Sequence, residues 1–233
     1  MQLSGLSRIG RLALDLIYPP RCAVCGTGGA MLCGRCREGL PRADGTRCDR
    51  CWLPLRGAAC VACAEATPRL DRLRSIFRYE GGVIHLVHAL KFAGQSSLAP
   101  DLGGLLTEAW EQHGLDTDVI VPVPLTAQRR RIRGYNQSLL MAREVSRHTG
   151  VAVAEALRRA GHSQPQAGSA SADQRRRNVE GVFSPAKGQD VRGARVLLID
   201  DVATTGATLN ACASVLLEAG AAAVSGLTLA RED

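Results

Sequence analysis

Arg195-Val196-Leu197-Leu198-Ile199-Asp200-Asp201-Val202-Ala203-Thr204-Thr205-Gly206-Ala207-Thr208-Leu209 decides the fold. Residues 196–199 are an unbroken apolar run, the pattern of a short strand buried on both faces. Two carboxylates stand at its carboxyl end, where open α/β sheets bind their ligands. A hydroxyl-rich loop with a single glycine follows. Leu209, Cys212, Ala213, Leu216 and Leu217 then keep helical spacing along one face, and Gly220 marks a stop.

Such a loop suits a phosphate. Thr204, Thr205 and Thr208 offer hydroxyl donors, Gly206 lets the backbone approach closely, and a helix amino terminus directs free N–H groups at an anion. The adjacent acids repel a phosphate, so they suit the hydroxyls of a neighbouring polyol or a hydrated divalent metal. A sugar phosphate satisfies both halves. The acidic strand end of nucleoside triphosphatases is a competing reading, but it requires a glycine-rich loop ending in Lys-Ser or Lys-Thr. The two lysines here, Lys91 and Lys187, precede Phe92 and Gly188, which excludes it. A ligand-free strand–turn–helix is the other alternative, and two adjacent carboxylates are costly to place idly.

The stretch resembles the phosphoribosyl-pyrophosphate (PRPP) signature of the type I phosphoribosyltransferases: apolar run, Asp-Asp, one apolar and one small residue, Thr-Thr-Gly, one residue, Thr. The resemblance implies that Asp200 and Asp201 hold the ribose hydroxyls. It implies that Val202, Ala203, Thr204, Thr205, Gly206, Ala207 and Thr208 wrap the 5′-phosphate, with Mg²⁺ bridging ribose oxygens and pyrophosphate.

At 233 residues the chain is long enough for one α/β core and a smaller module. Aromatics make up only 3%, so the core must be aliphatic. No uninterrupted apolar run of about 18 residues occurs, so no membrane-spanning helix is expected. Residues 1–17 read as an amphipathic helix, interrupted by Arg8, Arg11 and Asp15 and unlike a secretory signal. Charge is uneven: residues 1–78 carry thirteen arginines against six acids, and residues 79–233 balance. The whole net charge of +7 therefore lies in the first third, which suggests an anionic partner there, such as single-stranded DNA or another nucleic acid. Coding bias is the competing explanation, because nearly all the basic residues are arginine.

Eight of nine cysteines form four pairs of one spacing: Cys22 and Cys25, Cys33 and Cys36, Cys48 and Cys51, Cys60 and Cys63. A Cys-x-x-Cys turn presents two sulfurs to one ion, and two such turns complete a tetrahedral Zn²⁺ site. Two structural zinc sites in a double ribbon over residues 18–66 are expected. Disulfides fit less well, because no secretory signal accompanies the cysteines and a cytoplasmic protein is expected, where thiols stay reduced. Gaps of seven and eight residues within each half favour consecutive over interleaved pairing, though both remain open. The ninth, Cys212, reads as a buried small apolar residue.

From residue 70 onward strand and helix alternate, which predicts a mainly parallel sheet with helices on both faces. Residues 74–79 read as a strand, 83–92 and 97–113 as helices, and 119–124 as a buried strand stopped by prolines. His85 and His88 are assigned to no metal, and Lys91 reads as a solvated lysine. The arginine-rich run 128–137 follows a strand end and suits a polyanion, since guanidinium forks match phosphate oxygens. Residues 161–181 are a long polar segment between apolar strands, read as an arginine-bearing lid over a phosphate site.

Together these pieces are similar to the ComF family, which includes GntX-like proteins. The residues that carry the likeness, besides the PRPP signature and the four cysteine pairs, are Tyr79-Glu80-Gly81, Leu90-Lys91-Phe92-Ala93-Gly94, Val121-Pro122-Val123-Pro124-Leu125, Arg133-Gly134-Tyr135-Asn136-Gln137 and Arg177-Asn178-Val179. Tyr135 and Ser163 stand where that pattern usually has Phe and often Thr. The resemblance implies a phosphoribosyltransferase fold over residues 70–233 and a link to DNA uptake. The expected function is binding of PRPP–Mg²⁺ and transfer of the phosphoribosyl group to an unspecified acceptor, with Asp200, Asp201, Arg133 and Arg177 as catalytic candidates. A non-catalytic PRPP sensor and a nucleic-acid-binding protein of DNA uptake are the rival readings. Zinc removal is expected to unfold the ribbon and leave the second domain largely intact.

Overall fold

The computed structural model describes residues 19–160 and 181–233. The expected first helix (1–17), most of the expected lid and Arg177 lie outside them. In chain order the elements are α1 (Gly34–Glu38), α2 (Val61–Glu65), β1 (Arg72–Arg78), α3 (Gly82–Phe92) and α4 (Ala99–Gln112), the last entered through a 3₁₀ turn at Ser96–Leu98. There follow β2 (Val119–Pro122), α5 (Ala127–Arg133), α6 (Gln137–Thr149), β3 (Ala152–Val153) and β4 (Leu157–Arg159). The chain closes with β5 (Phe183–Pro185), β6 (Arg195–Ala203), α7 (Ala207–Glu218) and β7 (Ala223–Arg231).

Five strands form a parallel sheet in the order β1-β7-β6-β2-β3, and β4 pairs with β5 in a separate antiparallel hairpin. The apolar run of β6 is explained by its place. Leu197 and Ile199 join the core under α3, α4 and α6, and Val196 and Leu198 join the core under α7 and the hairpin. A strand covered on both faces has no solvent side to make polar. β6 extends beyond the predicted run, so Asp200 and Asp201 lie within it and not after it. Asp200 pairs in register with Thr228 of β7. Cys212 on α7 is fully buried, as its sequence context implies.

Most of the arginine-rich run forms the short helix α5. Thr126 caps α5 by accepting from Arg129 N at 3.2 Å, and Gly134 ends it in the left-handed conformation (φ 81°) that glycine adopts without strain. Asn136 caps α6 in turn: its side-chain oxygen accepts from Ser138 N at 3.0 Å, and its Nδ2 donates to Val123 O at 3.0 Å. That second bond fixes the start of α6 against the end of β2.

The cysteine-rich module is built onto the sheet edge. β1 is an edge strand with a fully buried interior, because the chain at Pro41 and Ala43 pairs with it: Ala43 N donates to Ile76 O at 2.9 Å and Arg78 N to Pro41 O at 2.8 Å. Leu32 and Leu40 of the module enter the same core as α3 and α4. Trp52 donates from Nε1 to Ser75 O at 2.8 Å, with the Arg74 guanidinium 4.5 Å from its ring centre. Arg47 holds both carboxylate oxygens of Asp233 at 2.7 and 2.9 Å. An edge that would otherwise template aggregation is covered by the ribbon. The ribbon therefore supports the α/β domain, which cannot be indifferent to losing it. No helix among the described residues is long and apolar enough to cross a membrane.

Candidate active site

The cysteines gather as two consecutive sets. Cys22, Cys25, Cys33 and Cys36 bring their sulfurs within 4.8 Å of one another, and so do Cys48, Cys51, Cys60 and Cys63. In the first turn Cys22 N donates to Thr27 O and Gly26 N to Cys22 O, each at 2.8 Å, folding the backbone around the sulfur. Four crowded thiols cannot ionise alike. The Thr27 hydroxyl and backbone lower Cys25 to about 6, while hydrogen bonding to Cys25 and Cys33 pushes Cys36 up to about 12. A Zn²⁺ ion removes that conflict by taking all four as thiolates. The two sets are zinc-binding sites of the Cys₄ type.

The residue after each first Cys-x-x-Cys turn takes the left-handed conformation: Gly26 has φ 75° and Trp52 has φ 61°. At Trp52 this costs about 1 kcal/mol. The indole's contacts with Ser75, Arg74 and the edge of His113, 5.1 Å away, offset it.

The second site lies at the carboxyl ends of β2 and β6, in a cavity of about 680 Å³. Asp200 and Asp201 form part of its wall, with Lys91 and Gln137 beside them and Arg129, Arg133 and Arg159 also lining it. Asp201, 3% exposed, accepts from Gln137 Nε2 at 2.9 Å and pairs with Lys91 Nζ at 2.8 Å. Asp200 Oδ1 accepts from Ser138 Oγ and from Asp201 N, both at 2.9 Å. Burial, and then the Asp201 carboxylate next to it, push Asp200 up to about 7, against the opposing pull of Lys91 and Ser138. Arg133 hydrogen-bonds Gln137 Oε1, so the guanidinium reaches Asp201 through one amide. Burial lowers Arg133 and Arg159 alike, with the acids of the site opposing. Arg159 has a buried Nε without a hydrogen-bond partner among the described residues and lies 5.2 Å from the Phe183 ring centre.

The structure divides the predicted loop. Val202, Thr204 and Thr208 line the cavity of the two acids. Thr205, Gly206 and Ala207 line a second cavity of about 250 Å³ on the ribbon side, shared with Cys51, Cys63 and Arg231. Ala203 is buried and Gly206 is left-handed (φ 77°), opening α7. Of the catalytic candidates, Asp200, Asp201 and Arg133 come together.

Sequence reasoning read Lys91 as solvated, gave Gln137 no role beyond its place in a family motif, and did not single out Ser138 or Arg159. Two signals were available. Lysine is rare in a chain whose cations are nearly all arginine, and Gln137-Ser138 open a helix whose cap is pinned to a strand end. Nothing local marks Arg159.

Comparison with known proteins identifies both parts of the chain. Residues 13–67 match the family described as "Double zinc ribbon domain" and residues 135–232 the "Phosphoribosyl transferase domain". The DNA utilization protein YhgH of Escherichia coli K12 is 34% identical, over 99% of both chains. Competence protein F of Haemophilus influenzae is 32% identical over 86% of this chain and 90% of its own, and competence protein ComFC of Bacillus subtilis 30% over 86% and 84%. Among solved structures, the glutamine PRPP amidotransferase of B. subtilis aligns at 24% identity and TM-score 0.40, over 57% of this chain and 26% of its own; the chain thus spans about a quarter of that enzyme. With a double zinc ribbon, a phosphoribosyltransferase-type domain and these relatives matched over most of their length, the chain belongs to the ComF family.

Proposed function

We propose that this chain binds PRPP with Mg²⁺ in the cavity of Asp200 and Asp201 and transfers the phosphoribosyl group to an acceptor. The observation that carries this reading is the cavity's charge division: two adjacent acids, with Arg129, Arg133 and Arg159 around the same space. Ribose hydroxyls donate to carboxylates, and Oδ2 of Asp200 has no bond among the described residues. Thr204 and Thr208 face the 5′-phosphate. In transfer, the bond from ribose C1 to the pyrophosphate oxygen breaks, the acceptor's lone pair forms the new bond to C1, and the acceptor's proton is released. Positive charge grows on the ribose and negative charge on the leaving pyrophosphate, which the guanidinium groups stabilise. Mg²⁺ would add its charge to the leaving oxygens, with the two acids as its protein ligands in reach. Arg177, from the sequence reading, is a further candidate for the pyrophosphate.

Relatives named for DNA utilization and competence favour a role in the same process, with nucleic acid as a partner. Calorimetry with PRPP–Mg²⁺ tests the binding. An Asp200→Asn, Asp201→Asn chain that bound as tightly as the natural one would overturn the site. Pyrophosphate release, screened over nucleobases and other amines, separates transfer from sensing: binding without release with any acceptor makes the domain a PRPP sensor.

A further inference from the structure

Arg231 closes β7 and is 1% exposed, one of the largest fully buried side chains described. Its Nη1 donates to the Thr204 carbonyl, and its Nε is buried without a hydrogen-bond partner among the described residues. A buried guanidinium needs a counter-charge. The carboxylate close by, Asp233, is already held by both terminal nitrogens of Arg47. Among the described residues the second cysteine set is also at hand: Cys51, Cys63 and Arg231 line one cavity with Thr205, Gly206 and Ala207. Four thiolates around one Zn²⁺ leave a net dianion, the partner such a cation lacks.

We propose that Arg231 is a positioning residue that couples the second zinc centre to the phosphate loop, balancing the thiolates' charge while holding the Thr204 carbonyl. The loop forms part of the walls of two cavities, and Arg231 fixes it from the ribbon side. Zinc in the second site then holds Arg231 in place, and Arg231 holds Thr204. That the loop serves PRPP rests on the reading above; the coupling itself does not.

The test uses the full chain and reads zinc and loop separately. Arg231→Met should release one of the two zinc ions to a chromogenic chelator about tenfold faster, the usual scale for an outer partner of a metal site, and leave the other unchanged. Hydrogen exchange over residues 203–208 should rise about tenfold in Arg231→Met, and also in the natural chain stripped of the second zinc. In Arg231→Met, exchange over α4 and α6 should stay as it was, which shows that the fold is kept. Arg231→Lys restores the charge and should recover zinc retention, and the uncharged Arg231→Gln, with the same faster release expected, carries the test if the methionine variant does not fold. Unchanged zinc release would overturn the proposal, and so would loop exchange indifferent to second-site zinc. If the natural chain fails to bind PRPP, the functional reading falls while these two readouts still decide the role of Arg231.

Discussion

Lys91 Nζ lies 2.8 Å from Asp201 Oδ1, joining the last turn of α3 to the carboxyl end of β6. Removing the lysine leaves a carboxylate that is 3% exposed with Gln137 as its remaining side-chain donor. Lys91→Met should therefore cost about 2 kcal/mol, below the full penalty of an orphaned buried charge because that amide still donates. Thermal unfolding should show a fall of roughly 4–8 °C. Lys91→Arg should recover most of it.

The raised Asp200 predicts a pH dependence with a definite sign. The ordinary value is 3.8 and the folded value is about 7. The unfolded chain therefore gives up this proton first, so Asp200 lowers stability progressively from about pH 4 to about 7, and the cost is constant above that. Binding runs the other way. A ribose hydroxyl needs the ionised carboxylate, so PRPP–Mg²⁺ affinity should rise about tenfold per pH unit well below 7 and flatten above it. Calorimetry across pH 5.5–8.5 checks this, and Asp200→Asn should remove the slope.

Zinc removal should reach the α/β domain. Without metal the ribbon loses its fold, and the pairing of Pro41 and Ala43 with β1 and the burial of Leu32 and Leu40 go with it. The natural chain should carry two zinc ions. Chelation should lower the melting temperature measured on α4 and α6 and promote aggregation through the uncovered β1 edge. An unchanged transition there would show that the contacts add nothing.

Trp52 sets backbone strain against docking. Trp52→Gly relieves the φ of 61° but loses the indole bond to Ser75 and the stack on Arg74. The loss should win by about 2 kcal/mol, since large aromatic truncations cost more than one strained residue. Denaturant unfolding reads the difference, and the zinc content should stay at two.

The charge of the first third makes a weaker electrostatic surface than the arginine count suggests. Arg47 is paired with Asp233, Arg74 with Asp49 and Arg78 with Glu80. Arg50, Arg56 and Arg69 are exposed. Replacing these three by Ala in the full chain should weaken single-stranded DNA binding and reduce its log–log salt slope by about 2. No change would assign the arginines to structure or to coding bias.

The sequence by itself determined what local order can carry. Four turns of one spacing gave eight ligands for two metal ions, because ligand geometry within a Cys-x-x-Cys turn is set by a few bonds, while which turns share an ion was left to the fold. The apolar run, the acid pair and the Thr-Thr-Gly turn defined a strand, a loop and a helix start. Tertiary structure decided everything that joins distant residues. Gln137 meets Asp201 across 64 positions and Arg47 meets Asp233 across 186. It also fixed strand order, the ribbon's place on β1 and the two-sided loop that Arg231 holds. A lysine or arginine reads the same locally whether it ends in solvent or beside a buried acid; only the packing of separate strands and helices settles which, because that packing removes water from one and leaves it around the other.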